Sequence, residues 1–168
     1  RRGIAGNFFV FKVAGAAADL GLSLEDVETA ARIANNATRT MGVALAACSM
    51  PQTGKANFNI PKGEMEIGMG IHGEPGIASI PAESANAVTD RLMQPILAEL
   101  ALNKGDKVAV LVNGLGSTTL LELYLLHRRV AKVLDAQKVA IHHSWVGEYC
   151  TSLEMAGASV SLMKLDKD

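Results

Sequence analysis

Apolar and polar positions alternate without a break from Glu64 to His72, in the order Glu-Met-Glu-Ile-Gly-Met-Gly-Ile-His. A period of two is the signature of a strand with one covered face. The spacing puts Met65, Ile67, Met69 and Ile71 on one face and Glu64, Glu66, Gly68, Gly70 and His72 on the other. Glycines at 68 and 70 would leave bare backbone beside the imidazole, with room for a small molecule. Gly73, Pro75 and Gly76 then turn the chain away, so His72 is expected at a strand end, on the open face, next to a turn.

The other patterns supply the frame for this strand. Ile4, Phe8, Phe11, Ala14 and Ala18 recur at helical spacing ahead of Gly21, which predicts a buried helix with a glycine C-cap. Ser23 and Asp26 resemble a capping box, and Leu24, Val27, Ala31, Ala34 and Met41 mark one face of a second helix. Val43 to Met50 reads as a strand closed by Pro51, and Gln52 to Lys62 as a loop. Ser84 is placed to cap a third helix striped by Val88, Leu92, Ile96 and Leu100. Pro95 inside that stripe predicts a kink or a break into two shorter helices. Val108 to Val112 is continuously apolar, as in a strand covered on both faces. A turn, Asn113 to Thr118, leads into a helix carrying Leu120, Leu121, Tyr124, Leu125, Ala131 and Leu134, and Lys138 to Val146 and Ser159 to Leu165 read as further strands. Strands interleaved with helices predict an α/β domain, or an α+β one, with a mixed sheet flanked by helices.

Composition narrows the function classes. The 168 residues, 49% of them apolar, suffice for one substantial core, so residues 1–168 are expected to form a single domain. A formal charge of −1, 4% aromatics and the lack of a Lys/Arg-rich run argue against nucleic acid as a partner. No apolar run approaches the ~20 residues that cross a bilayer, and no signal-peptide pattern opens the chain, so a cytoplasmic protein without membrane attachment is expected. Cys48 and Cys150 have no ligand-like spacing and are expected as two buried thiols. The opening Arg1-Arg2-Gly3, without a methionine, suggests a fragment or processed piece.

Among residues with chemistry, His72 comes first. An imidazole, with its ordinary pKa of ~6.5, serves as base, metal ligand or nucleophile. No second histidine or cysteine stands at ligand spacing from it, so no metal site is expected. Glu64 and Glu66 share its predicted face but fit solvated strand carboxylates, and Glu74 is too near in sequence to be given a catalytic part. Asn113-Gly114-Leu115-Gly116-Ser117-Thr118 has the setting of a phosphate cradle, after a buried strand and before a helix. Its motif is incomplete, with no lysine after Gly116 and with Thr119 where a dinucleotide fingerprint has its third glycine, which favours a tight turn and helix cap. His142 and His143, adjacent in a predicted strand, would face opposite ways, and Trp145 and Tyr149 fit core or interface positions. These residues support a small-molecule-binding domain. They leave open whether it is an enzyme using His72 on a carbonyl or a regulatory module that only holds the ligand.

Five segments carry a resemblance over nearly the whole chain: Gly3-Ile4-Ala5-Gly6, Ala14-Gly15-Ala16-Ala17-Ala18, Gly68-Met69-Gly70-Ile71-His72-Gly73-Glu74-Pro75-Gly76, Leu111-Val112-Asn113-Gly114-Leu115-Gly116 and Thr151-Ser152-Leu153-Glu154-Met155-Ala156-Gly157. Together they resemble the dihydroxyacetone-binding K subunit of dihydroxyacetone kinases, in roughly its C-terminal half. The resemblance implies the K-domain type of fold, with the family's N-terminal half and its catalytic aspartate absent here. It also implies that His72 bonds covalently to the carbonyl carbon of dihydroxyacetone as a hemiaminal. It implies no cofactor in this chain, with ADP or ATP and magnesium on a partner L subunit or domain. A phosphotransferase-system phosphoryl donor and a homodimer are the further partners implied. Two variants stand beside this one: a non-catalytic dihydroxyacetone-sensing paralogue that co-regulates transcription, and a kinase for a four-carbon ketose such as erythrulose.

Overall fold

The computed structural model describes residues 5–71 and 73–166. Six strands form one mixed sheet in the order β5-β4-β1-β8-β6-β7, made of β1 (Thr38–Ala46), β4 (Glu64–Ile67), β5 (Ala78–Pro81), β6 (Lys107–Gly114), β7 (Ala140–Gly147) and β8 (Ala156–Leu165). All neighbours are antiparallel except β6 and β7, which run parallel on either side of the crossover helix α4 (Leu120–Ala136). A separate two-stranded ribbon joins β2 (Ser49–Met50) to β3 (Lys55–Ala56). This is the expected α/β domain with a mixed sheet.

Helices cover both faces. The principal core lies under α3 (Ala85–Leu100) and α4, where Val88, Leu92, Met93 and Ile96 of α3 and Leu123, Leu126, Val130 and Leu134 of α4 meet Val43, Val108, Val110, Val112, Val160 and Leu162 of the sheet. The second core lies under α1 (Asn7–Asp19) and α2 (Leu24–Ala37), where Phe9 and Ala34 meet Ala44, Ala109, Leu111 and Met163. Odd and even residues of β6 thus serve different cores, which is why that strand reads as an unbroken apolar run.

Several boundaries and faces differ from the sequence reading. Helix α2 ends at Ala37, and Met41 belongs to β1, which starts at Thr38, well before Val43. The β-branched Thr38 and Thr40 suit an extended backbone better than a helix. Helix α1 buries Phe9 and Ala17, whereas Phe11 is 69% exposed; Ile4 lies outside the described residues. The predicted cap holds: Gly21 has φ 74, its N–H donates to the Ala18 carbonyl, and the Leu22 N–H donates to the Ala17 carbonyl, the paired bonds of a Schellman motif. Helix α3 is one continuous helix through Pro95, not two shorter ones. Its predicted stripe is buried, and the Ser84 hydroxyl accepts the Ala87 N–H. Helix α4 turns Leu120, Leu121, Tyr124 and Leu125 outward and buries the path 123, 126, 130, 134. Strand β8 begins at Ala156, three residues before the predicted Ser159.

Candidate functional site

Strand β4 stops at Ile67 because Gly68 adopts φ 77, a left-handed conformation that glycine enters without steric cost. The turn splits the predicted apolar face. Met65 and Ile67 stay in the principal core, while Met69 and Ile71 join the second one beside Phe58 and Ile60. His72 lies outside the described residues, and its chain neighbours Ile71 and Gly73 belong to a loop closed on itself and on the sheet. The Gly68 N–H donates to the Gly42 carbonyl of β1 at 2.7 Å, and the Ile77 N–H donates to the Ile67 carbonyl at 2.7 Å, so both feet of the loop are fastened to strands. Within it, the Gly70 N–H donates to the Glu74 carbonyl at 3.1 Å and the Gly73 N–H to the Gly70 carbonyl at 3.0 Å.

The glycines of this loop are not open ground, contrary to the bare surface expected from the sequence. A Cβ on Gly68 would sit 3.2 Å from the Ile77 side chain, and one on Gly70 would collide with the Glu74 carboxylate. At Gly73 it would stand 3.2 Å from both the Asn57 amide and the Phe58 ring, and at Gly76 2.7 Å from Glu66 Cγ. These residues lack side chains so that the loop can fold tightly on itself, on β4 and on residues 57 and 58. Asn57 and Phe58 fall in a stretch that reads only as a loop in the sequence, and nothing in their spacing signals this contact.

The nearby carboxylates are engaged rather than free. Glu66 Oε1 accepts the Gly76 N–H at 3.0 Å, and Glu64 Oε2 accepts the Ser79 hydroxyl at 2.7 Å across the β4–β5 pair. At the ribbon, Glu154 Oε1 accepts the Ser49 N–H at 2.6 Å, and that bond holds its carboxyl pKa below the ordinary value.

The Asn113 turn is a structural knot. Asn113 is fully buried; its Oδ1 accepts the N–H groups of Tyr149 and Cys150, and its Nδ2 donates to the Cys150 carbonyl, each at 2.8 Å. The Leu115 N–H donates to the Gly157 carbonyl and the Ser117 N–H to the Met155 carbonyl, while Thr118 Oγ1 bonds both the carbonyl and the N–H of Gly157. Thr119 and Glu122 then complete a capping box, with the Thr119 N–H donating to Glu122 at 2.9 Å. An anion would have to displace a carboxylate there, so the turn does not fit a nucleotide phosphate. The turn-and-cap reading is the one that holds.

The remaining candidates pack. Trp145 meets Phe8 and Phe9 with ring centroids at 5.3 and 5.9 Å, Tyr149 meets Phe8 at 4.9 Å, and the Lys12 ammonium lies 5.6 Å from the Phe8 and Trp145 centroids. His142 is the extra residue of a β-bulge, since Ile141 pairs with Val108 and His143 with Ala109. His143 lies against Trp145 at 4.2 Å. Cys48 is buried and Cys150 half-buried, where burial raises its thiol pKa. Among the described residues no group of three or more His, Cys, Asp or Glu could hold a metal ion, and no helix is long and apolar enough to cross a membrane.

Comparison with known proteins gives a consistent result. The dihydroxyacetone-binding subunit DhaK of PTS-dependent dihydroxyacetone kinase 2 from Listeria innocua is 47% identical over 168 residues, covering 100% of this chain and 51% of that protein. The L-erythrulose kinase of Pectobacterium atrosepticum is 40% identical over 172 residues, covering 100% of this chain and 29% of that one. A solved structure described as the dihydroxyacetone kinase operon co-activator Dha-DhaQ superposes with a TM-score of 0.90 at 35% identity, over 99% of this chain and 51% of its own. The chain therefore spans about half the length of the DhaK relative and of the co-activator that it matches. It matches the Dak1 domain along residues 1–168, and it belongs to the Dak1 domain family.

Proposed function

We propose that the chain is the ketose-holding part of a dihydroxyacetone kinase, in which His72 binds dihydroxyacetone covalently. The observation that carries this reading is the Gly-Ile-His-Gly-Glu-Pro-Gly segment, set in a loop whose two feet are hydrogen-bonded to β1 and β4 in a chain of the Dak1 family. An imidazole nitrogen adds to the ketone carbon, the C=O double bond becomes a C–O single bond, the oxygen gains a proton and the ring loses one. The adduct is a hemiaminal from which nothing leaves. A triose offers few contacts for affinity, so a reversible bond fixes it in place. Glycerol has no carbonyl and is excluded.

With the ketose held, a terminal hydroxyl attacks the donor phosphoryl group: a new O–P bond forms, the bond to the donor breaks, and the hydroxyl proton passes to a base outside residues 1–168. In-line positioning supplies much of the acceleration in such transfers. In this proposal the nucleotide with its magnesium sits on an L subunit or domain and is recharged by a phosphotransferase relay; the Listeria relative is named as PTS-dependent. The whole polypeptide is expected to act as a homodimer in the cytoplasm, while residues 1–168 alone are expected to be inactive.

A second reading has its own support. The co-activator superposes at a TM-score of 0.90, so the same loop could serve a sensor that traps the ketose without phosphorylating it. The erythrulose kinase relative extends the candidate substrates to four carbons. The deciding experiment is intact mass of the full-length polypeptide with dihydroxyacetone, followed by an L subunit and a phosphoryl donor. Capture with turnover supports the kinase, capture without turnover the sensor. His72→Ala is expected to abolish capture while the polypeptide stays folded, read by circular dichroism.

A further inference from the structure

We propose that Glu66 is the positioning residue of the His72 loop, acting through the hydrogen bond that its carboxylate accepts from Gly76. The inference rests on the ketose reading of His72. Glu66 sits on β4 between Ala44 of β1 and Ser79 of β5 in register, so its backbone is held from both sides. Its half-buried side chain reaches past the end of the strand, where Oε1 meets the Gly76 N–H at 3.0 Å. The fit is close on both partners: a Cβ on Gly76 would stand 2.7 Å from Glu66 Cγ and 2.8 Å from Oε1. Gly76 must be a glycine for this approach, and Glu66 must be long enough to make it.

The need for such a bond follows from the composition of the returning limb. Gly73, Pro75 and Gly76 carry little or nothing that can pack, so hydrogen bonds from their backbone help to hold the limb to the strand. The Ile77 N–H donates to the Ile67 carbonyl and the Gly76 N–H to Glu66, and both bonds join the limb to β4. The second is the one nearer His72. Glu64, one alternation earlier on the same face, is occupied instead by the Ser79 hydroxyl and cannot substitute. A covalent addition requires the imidazole to be held within roughly half an ångström of its productive position. In this reading, releasing one limb loosens the loop that carries His72 and weakens capture without removing the nucleophile.

Two variants of the full-length polypeptide separate this role from a merely electrostatic one. Glu66→Gln keeps the length and a carbonyl oxygen to accept the Gly76 N–H but loses the charge; Glu66→Asp keeps the charge and loses the reach. The apparent dissociation constant for dihydroxyacetone, read from adduct fraction by intact mass, is expected to stay within about twofold of wild type in Glu66→Gln. It is expected to rise about tenfold in Glu66→Asp, the worth of one hydrogen bond. Amide hydrogen exchange at Gly76 should accelerate in the Asp variant and stay near wild type in the Gln variant. Asp binding as wild type, or Gln losing as much as Asp, overturns the inference. A wild type that captures no ketose defeats the ketose reading itself, and Gly76 exchange then still decides whether Glu66 clamps the loop.

Discussion

Asn113 shows how much one side chain can organise. Its three hydrogen bonds, each at 2.8 Å, fasten the end of β6 to residues 149 and 150 after β7. The residue is fully buried, so all three bonds are made inside the protein. Asn113→Ala removes these three hydrogen bonds and is expected to lower the unfolding free energy by about 3 kcal/mol, measured by urea denaturation. An unchanged midpoint would mean that the neighbouring backbone finds other partners. Glu66 was legible at the same scale only in part. Strand alternation put it on His72's predicted face, but its partner Gly76 lies ten residues on, beyond a turn whose path depends on Gly68 adopting φ 77. Sequence spacing carries no information about such a closure.

At the scale of elements, caps were easier to read than faces. Ser23, Ser84 and Gly21 do what their types suggest because capping is a local matter of one side chain and the next turn. Of the residues read on α4, Leu134 is buried while Leu120, Leu121, Tyr124 and Leu125 are exposed, because that apolar path has nearly the same period as Leu123, Leu126, Val130 and Leu134. Only the tertiary partner decides which path is buried. Thr119 opens that helix with a capping box, and Thr119→Ala is expected to cost about 1 kcal/mol in urea denaturation. His127 ties the same helix to β7 through a 2.9 Å contact between its Nε2 and Ser144 Oγ, and burial lowers its pKa. The unfolded chain, with an ordinary histidine pKa of ~6.5, therefore takes up that proton first as pH falls. The neutral ring's contribution is complete above the unfolded value and is lost as pH drops through the lowered folded one. Urea midpoints between pH 7.5 and 5.5 should fall more steeply in wild type than in His127→Gln; parallel slopes would contradict this.

For the molecule as a whole, local pattern disclosed the elements but not their order. Strand β6 was plain from five consecutive apolar residues, yet β1 pairs with both β4 and β8, and Thr38 stands opposite Met163 across the length of the chain. Such pairings rest on long-range packing that no window of sequence contains. The order matters to function because it brings Gly42 of β1 beside the first foot of the His72 loop and so ties the loop to the middle of the sheet. In the proposed reading the motif supplies the nucleophile, and the sheet supplies the footing of its loop. The most direct test is intact mass of the full-length polypeptide incubated with dihydroxyacetone, with His72→Ala and a glycerol control alongside. The account predicts a gain of one whole triose, with no water lost, in wild type alone and with dihydroxyacetone alone. An equal gain in His72→Ala, or a gain short by one water as an imine on a lysine would give, would contradict it.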